Sequence, residues 1–169
     1  MNMIDKAREF AIERHGNQSY GQHPYWVHLD DVAKLAADFG ERAVVISYLH
    51  DVVEDTPTTI KEIQENFSEF VADCVEIVTD EPGETRKLRK AKTYKKMASV
   101  HGELELALIV KAADRLANIK ASLVNRSKKH MNMYQSEHDC FKKSAYRPGL
   151  CEALWSEMDK LIDKTKLQK

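Results

Sequence analysis

Apolar residues recur along this chain at intervals of three and four, the period that lays them on one side of an α-helix. Ala7, Phe10 and Ala11, followed by Arg14, open the series, and Leu29, Val32, Ala33 and Ala36 repeat it with polar residues between. Alternating, strand-like runs are scarce. The β-branched stretch "AVVISYLHDVV" (43–53) has the composition of a buried strand, but it runs into charged residues with no turn signal, so it reads as a central helix. "TPTTIKEI" then combines a proline with Thr59 and Glu62 at capping-box spacing, which stops one helix and starts another. The loops "TDEPGET" (79–85) and "YRPGL" (146–150) enclose a basic helix (86–98), an apolar one (about 103–124) and a polar one (about 128–144). A last helix, about 150–166, sets Leu150, Leu154, Met158, Leu161 and Ile162 on one side with Trp155 nearby. The pattern predicts an all-α bundle of about eight or nine helices.

Composition narrows this picture. At 169 residues and 43% hydrophobic, the chain has material for one sizeable core, so residues 1–169 are expected to form a single domain. Twenty-six basic and 27 acidic side chains nearly cancel, and no global charge draws the chain to nucleic acid or to an anionic membrane. Cys74, Cys140 and Cys151 are odd in number and lack a CxxC pair, which argues against a disulfide framework or a zinc knuckle and suits a reducing, cytoplasmic setting. The N-terminus carries charges every few residues, unlike a signal peptide, and no run approaches the ~18 apolar residues of a membrane span.

Against this background "LHDVVEDT" (49–56) stands out, because it places four titratable groups on a stretch that otherwise reads as buried helix. On a helix of about 100° per residue, His50, Asp51, Glu54 and Asp55 fall at roughly 0°, 100°, 40° and 140°, a single face. Unpaired buried carboxylates cost several kcal/mol each and repel one another, a conflict that a divalent cation removes. The His-Asp pair offers it imidazole nitrogen and carboxylate oxygen, and the remaining acids stay free for proton handling. The competing reading is an exposed helix end with solvated acids and an incidental histidine. Two further places bear on the choice. His28 begins the amphipathic pattern of "HPYWVHLDDVAKLA", and Asp114 lies in the middle of the most apolar helix, with Lys111 at i−3 and Asn118 at i+4 on its face. A buried ion pair of Asp114 with Lys111 or Arg115 is the plainer account of the second place. Together they suggest a metal site built from three helices.

The order H…HD…D, with "HDVVEDT" and "KAADRLANI" around its elements, resembles the HD phosphohydrolase superfamily, and more narrowly the hydrolase domain of the RelA/SpoT family and its small stand-alone relatives. The likeness spans about residues 5 to 140, with "HG", "PY..H", "HDVVEDT", "TD" and "K.ADRL.N" in order. It implies removal of pyrophosphate from the 3′ position of (p)ppGpp. It also implies His28, His50, Asp51 and Asp114 as ligands of one divalent metal, Mn²⁺, Glu54 and Asp55 as the acids that work on the attacking water, and Asn118 as a nucleotide contact. The runner-up activity is a nucleotidase or nucleotide pyrophosphatase of broader range. A further alternative is a nucleotide sensor without turnover, against which the intact Glu54 and Asp55 pair argues.

The chain also departs from that family. Where RelA/SpoT hydrolases carry "HxGQxRxxGxPY", with an arginine that packs on guanine, this chain reads "HGNQSYGQHPY", one residue shorter and without the arginine. Tyr20 is the candidate replacement for its stacking face. The basic run "RKLRKAKTYKK" holds seven Lys or Arg in eleven residues and reads mostly as a solvated helix face. Arg86 or Lys87 is the candidate to hold a pyrophosphate, with Lys111 a further substrate contact. Nucleic-acid binding is disfavoured, since only Tyr94 is interleaved in the patch. Tyr134, Glu137 and His138 share a helical face that either lines the pocket or, more ordinarily, packs and faces solvent. His15 is expected near the site, His23, His101 and His130 in loops or at the surface, and the three cysteines as small core residues. The expected partner is a small nucleotide, with neither nucleic acid nor membrane. The oligomeric state is left open.

Overall fold

The computed structural model describes residues 1–166, so the last three positions of the expected 1–169 domain lie outside the described residues. Ten α-helical segments follow one another: α1 (Met3–His15), α2 (Trp26–Ala36), α3 (Glu41–Leu49), α4 (Val52–Asp55), α5 (Ile60–Asn66), α6 (Glu69–Val78), α7 (Arg86–Ala98), α8 (Leu106–Val124), α9 (Lys128–Ala145) and α10 (Glu152–Lys166). Nine of these have seven residues or more, among the described residues, and α4 is a single turn. The all-α bundle expected from periodicity is what forms.

The helix starts follow local chemistry. Asn2, Thr59, Ser68, Thr85 and Ser127 each place a side-chain oxygen on a backbone N–H of the first turn, at α1, α5, α6, α7 and α9. At Thr59 the Glu62 carboxylate reaches back to the cap N–H at 2.8 Å, completing the capping box legible in the sequence.

Two local features were not anticipated. Ser19–Tyr20 (β1) and His23–Pro24 (β2) pair as a short antiparallel hairpin, with Tyr20 opposite His23. The turn depends on Gly21 at φ +61°, a conformation that side-chain-bearing residues rarely adopt. The second is a break in the expected 43–53 helix: α3 ends at Leu49, and the α-helical run resumes at Val52. At the break the His50 ring takes the Ser47 carbonyl through Nδ1 at 2.6 Å. Both residues at the break keep right-handed backbone angles, so their side chains still face one way.

Helix α8 is the axis of the fold, packed by α2 and α3 on one flank, by α6 on another and by α9 and α10 on the rest. The buried apolar side chains form one contiguous cluster. At its C-terminal end Trp155 is fully buried, 5.2 Å from Phe141 and edge-on to Tyr146 at 5.8 Å. Trp155→Ala should therefore cost about 3–5 kcal/mol of folding stability, against a much smaller loss for Trp155→Phe, measured by urea denaturation. Equal losses from the two variants would mean that ring volume is not what this end of the core requires. Cys74 and Cys151 are buried as expected, whereas Cys140 is exposed because it falls on the outer side of α9; all three thiols are free.

Candidate metal centre

Three segments deliver four donors to one point. His28 comes from the first turn of α2, His50 and Asp51 from the break between α3 and α4, and Asp114 from the middle of α8. One ligand atom from each lies within 4.8 Å of all the others. His28 and His50 are 2% and 1% exposed, so the imidazoles are sealed under the cleft floor.

The hydrogen bonds around this point leave it suited to a cation. A carbonyl only accepts, so the bond from His50 Nδ1 to Ser47 fixes the proton on Nδ1 and leaves the Nε2 lone pair inward in the neutral ring. That Nε2 is buried without a hydrogen-bond partner, although Asp51 Oδ2 lies 2.9 Å away. His28 Nε2 stands 3.3 Å from Asp114 Oδ1 and 3.7 Å from Asp51 Oδ2. Two imidazoles and two carboxylates therefore turn their polar atoms to one point. Burial lowers the basicity of His50, but Asp51 and Asp114 overcome it and hold the imidazole well above its ordinary value. Burial pushes in the opposite sense on Asp114, and Lys111 with the two histidines outweighs it, keeping the carboxyl well below the usual range. The donor set fits a divalent metal of the borderline kind that takes nitrogen and oxygen together.

Both carboxylate donors are braced. The Tyr25 hydroxyl donates to Asp51 Oδ2. Asp114 receives Lys111 Nζ at 3.2 Å on Oδ2 and the Asn118 amide at 2.6 Å on Oδ1. Asp114 thus pairs with Lys111 through Oδ2 and turns Oδ1 to the histidines, so the ion pair leaves an oxygen free to serve as a ligand. Asn118 in turn accepts from the Tyr20 hydroxyl at 2.5 Å.

The cluster floors a small cleft of about 160 Å³ whose wall includes Glu54, Asp55, Arg86, Lys111, Asn118 and Tyr134. Glu54 sits one helical turn from Asp51 and accepts the Asp80 backbone N–H at 2.9 Å. The cleft walls desolvate this carboxyl enough to raise its pKa even though the residue as a whole is exposed, the Asp80 and Asp51 carboxylates adding to the rise while Lys111 and the Asp80 N–H oppose it. Asp55 is held by the Gln18 side-chain amide at 2.8 Å, and Gln18 is itself anchored on His15. Asn118 and Tyr134 also border a larger cavity of about 530 Å³, together with Tyr20, His23, Asn125 and His130.

Of the candidate residues, His28, Asp51, Glu54, Asp55, Arg86, Lys111, Asp114, Asn118 and Tyr134 line this cleft, His50 is buried beneath it, and Tyr20, Lys87, Glu137 and His138 are not in its lining. Tyr20 borders the adjoining cavity, with its ring stacked 4.6 Å from His28, so one face is already covered. Lys87 is exposed and away from the cleft, leaving Arg86 as the cation from that run that reaches it. Glu137 proves to be more than packing: it accepts both Arg86 and Arg115. Tyr25, Gln18, Asp80 and Lys90 were not singled out. Asp80 acts on Glu54 through a backbone N–H, which no side-chain pattern signals, whereas the neighbouring "TD" and "PY" were visible only as parts of the resemblance.

Residues 7–151 match the HD domain family. The chain belongs to it. Among relatives of this HD domain chain, a guanosine-3′,5′-bis(diphosphate) 3′-pyrophosphohydrolase of Aquifex aeolicus is 34% identical over 163 residues, covering 95% of this chain and 23% of the relative. One of the same name from Spiroplasma citri is 32% identical over 87% of this chain and 20% of its own length. A GTP pyrophosphokinase rsh of Brucella ovis is 30% identical over 88% of this chain and 20% of its own length. The HD domain chain thus spans about a fifth to a quarter of these relatives' length. Among solved structures, a metazoan ortholog of SpoT that hydrolyzes ppGpp superposes with a TM-score of 0.83 at 20% identity, covering 98% of this chain and 96% of that one. A Listeria monocytogenes EGD-e structure gives 0.65 at 24% identity, over 82% and 98%. Both share the helical HD fold.

Proposed function

We propose that this chain, acting as one domain, is a metal-dependent phosphohydrolase that removes pyrophosphate from the 3′ position of guanosine 3′,5′-bis(diphosphate). The observation that carries the reading is the convergence of His28, His50, Asp51 and Asp114 on one point, with Glu54 a helical turn away. The names of the Aquifex and Spiroplasma relatives supply the substrate. These four residues would hold one divalent cation, for which we favour Mn²⁺; when bound, such a cation polarises a phosphoryl oxygen and acidifies water.

The chain's own groups supply the remaining work. Glu54, oriented by the Asp80 N–H and made more basic by its surroundings, takes the proton of the attacking water. Asp55, fixed by Gln18, steers the same water. Arg86 and Lys111 line the cleft and offset charge on the phosphoryl oxygens. Asn118 and Tyr20 face the larger cavity, whose 530 Å³ suits a nucleoside. Attack on the 3′-linked phosphorus releases pyrophosphate and leaves a free 3′ hydroxyl. No helix among the described residues is long and apolar enough to cross a membrane, and free thiols accord with a cytoplasmic setting.

One observation favours a second reading, hydrolysis of a broader set of nucleotides. Tyr20 stands where the family has a guanine-packing arginine, and it spends one ring face on His28. Purified protein with Mn²⁺ should be offered ppGpp, NADPH, deoxynucleoside triphosphates and nucleoside monophosphates, and the phosphorus product identified. Free pyrophosphate from ppGpp is expected. Orthophosphate from simple monophosphates moves the assignment to a nucleotidase, and binding without any product moves it to a sensor.

A further inference from the structure

Glu137, on α9, holds together two arginines from different helices. Its carboxylate accepts Arg86 through Nε at 2.8 Å and Nη2 at 3.2 Å, and lies 3.1 Å from Nη2 of Arg115. Arg115 is 4% exposed and wedged between the rings of Tyr134, 5.0 Å away, and Phe141, 4.5 Å away. Its Nη1 is buried with no hydrogen-bond partner. An interior guanidinium N–H without an acceptor is costly, and Arg115 is short of partners even though its Nη2 also donates to the Tyr94 hydroxyl at 3.0 Å. Both arginines line the metal cleft. The other two cations there are each matched by an acid of their own, Lys90 by Asp80 at 2.8 Å and Lys111 by Asp114 at 3.2 Å. One carboxylate shared by two guanidinium groups leaves a net positive charge at this wall of the cleft.

We infer that Glu137 is a positioning residue, which sets Arg86 and Arg115 as a two-guanidinium clamp for the pyrophosphate group that the reaction releases. This rests on the proposed 3′-pyrophosphohydrolase activity and names the group that this wall receives. Two planar forks fixed side by side match two linked phosphoryl groups, whereas a single orthophosphate engages only one of them. Without Glu137 the paired guanidinium groups repel, and Arg86, 40% exposed, swings into solvent. Arg115 stays wedged between its rings, so Arg86 is the group whose placement is lost.

Calorimetric titration of the Mn²⁺-loaded full chain with inorganic pyrophosphate, and separately with orthophosphate, tests this. Glu137→Gln should weaken pyrophosphate roughly tenfold and orthophosphate less than about threefold, with Mn²⁺ affinity unchanged and the melting temperature lowered by the loss of the shared carboxylate. Unchanged pyrophosphate affinity, or an equal loss for both anions, overturns the clamp. Should Glu137→Gln fail to fold, Arg86→Gln carries the same selective expectation and the same refutation. A wild-type chain that does not bind pyrophosphate overturns it as well. Turnover of ppGpp is read in parallel: pyrophosphate binding without release of pyrophosphate from ppGpp leaves the clamp standing and removes only the substrate assignment.

Discussion

Asp51→Ala should lose bound divalent metal and hydrolysis together. Asp51 supplies one of the two carboxylates at the centre, and its Oδ2 is the oxygen that faces both His28 and His50. Losing a group that merely supports a metal ligand already costs roughly 10–100-fold in affinity, and losing the ligand itself costs more. The same variant makes a prediction independent of turnover. A cation that binds only the folded chain stabilises it by about 2.7 kcal/mol at a concentration 100 times its dissociation constant. Adding Mn²⁺ should therefore raise the melting temperature of the wild type, and a chelator should reverse this, while Asp51→Ala responds to neither. Metal content by elemental analysis and a thermal scan on one preparation decide the matter. A variant that retains one equivalent of Mn²⁺ with a wild-type thermal response would show that the cation sits elsewhere.

Glu54→Gln should separate the two properties that Asp51→Ala removes together. The amide is isosteric and still offers an oxygen to the Asp80 N–H, so metal binding and folding should be as in the wild type. Turnover should fall by about 10²–10⁴, the usual contribution of a placed general base. The pH profile gives a second readout. The cleft walls hold the Glu54 carboxyl above its ordinary value, so it takes up a proton at a higher pH than a free glutamate does. A base must be ionised to act. Activity should decline as pH falls through that raised value, and the residual activity of Glu54→Gln should lack this acidic limb. A Glu54→Gln enzyme with wild-type turnover would hand the role to Asp55.

The parts of this centre that were legible in the sequence are those where burying charge demands an explanation. Asp114 in the most apolar helix, and a His-Asp pair where a core was expected, both pose that problem, and the structure brings them together with His28. Helix positions were legible for the same kind of reason, since α7 and the Thr59 cap depend on residues a few places apart. Contacts between distant segments were not. Glu137 and Arg86 are 51 positions apart, and a helical-face argument could place Glu137 on a side without naming what met it. The hairpin at 19–24 rests on one backbone angle at Gly21, too little to disturb a pattern read over longer windows. The break at His50 and Asp51 escaped because right-handed angles on both residues preserve the helical periodicity that pattern reading follows.

Helix α8 carries Leu108, Leu116 and Ile119 into the hydrophobic interior and Asp114 and Asn118 to the opposite task. The geometry of the candidate metal centre and heat tolerance are consequently mechanically linked in this molecule. A mutation that rotates the helix by even a fraction of a turn to relieve crowding among the leucines also carries a metal-facing oxygen away from its companions. Attempts to engineer a hardier version should leave this rod untouched and look for gains in the peripheral helices.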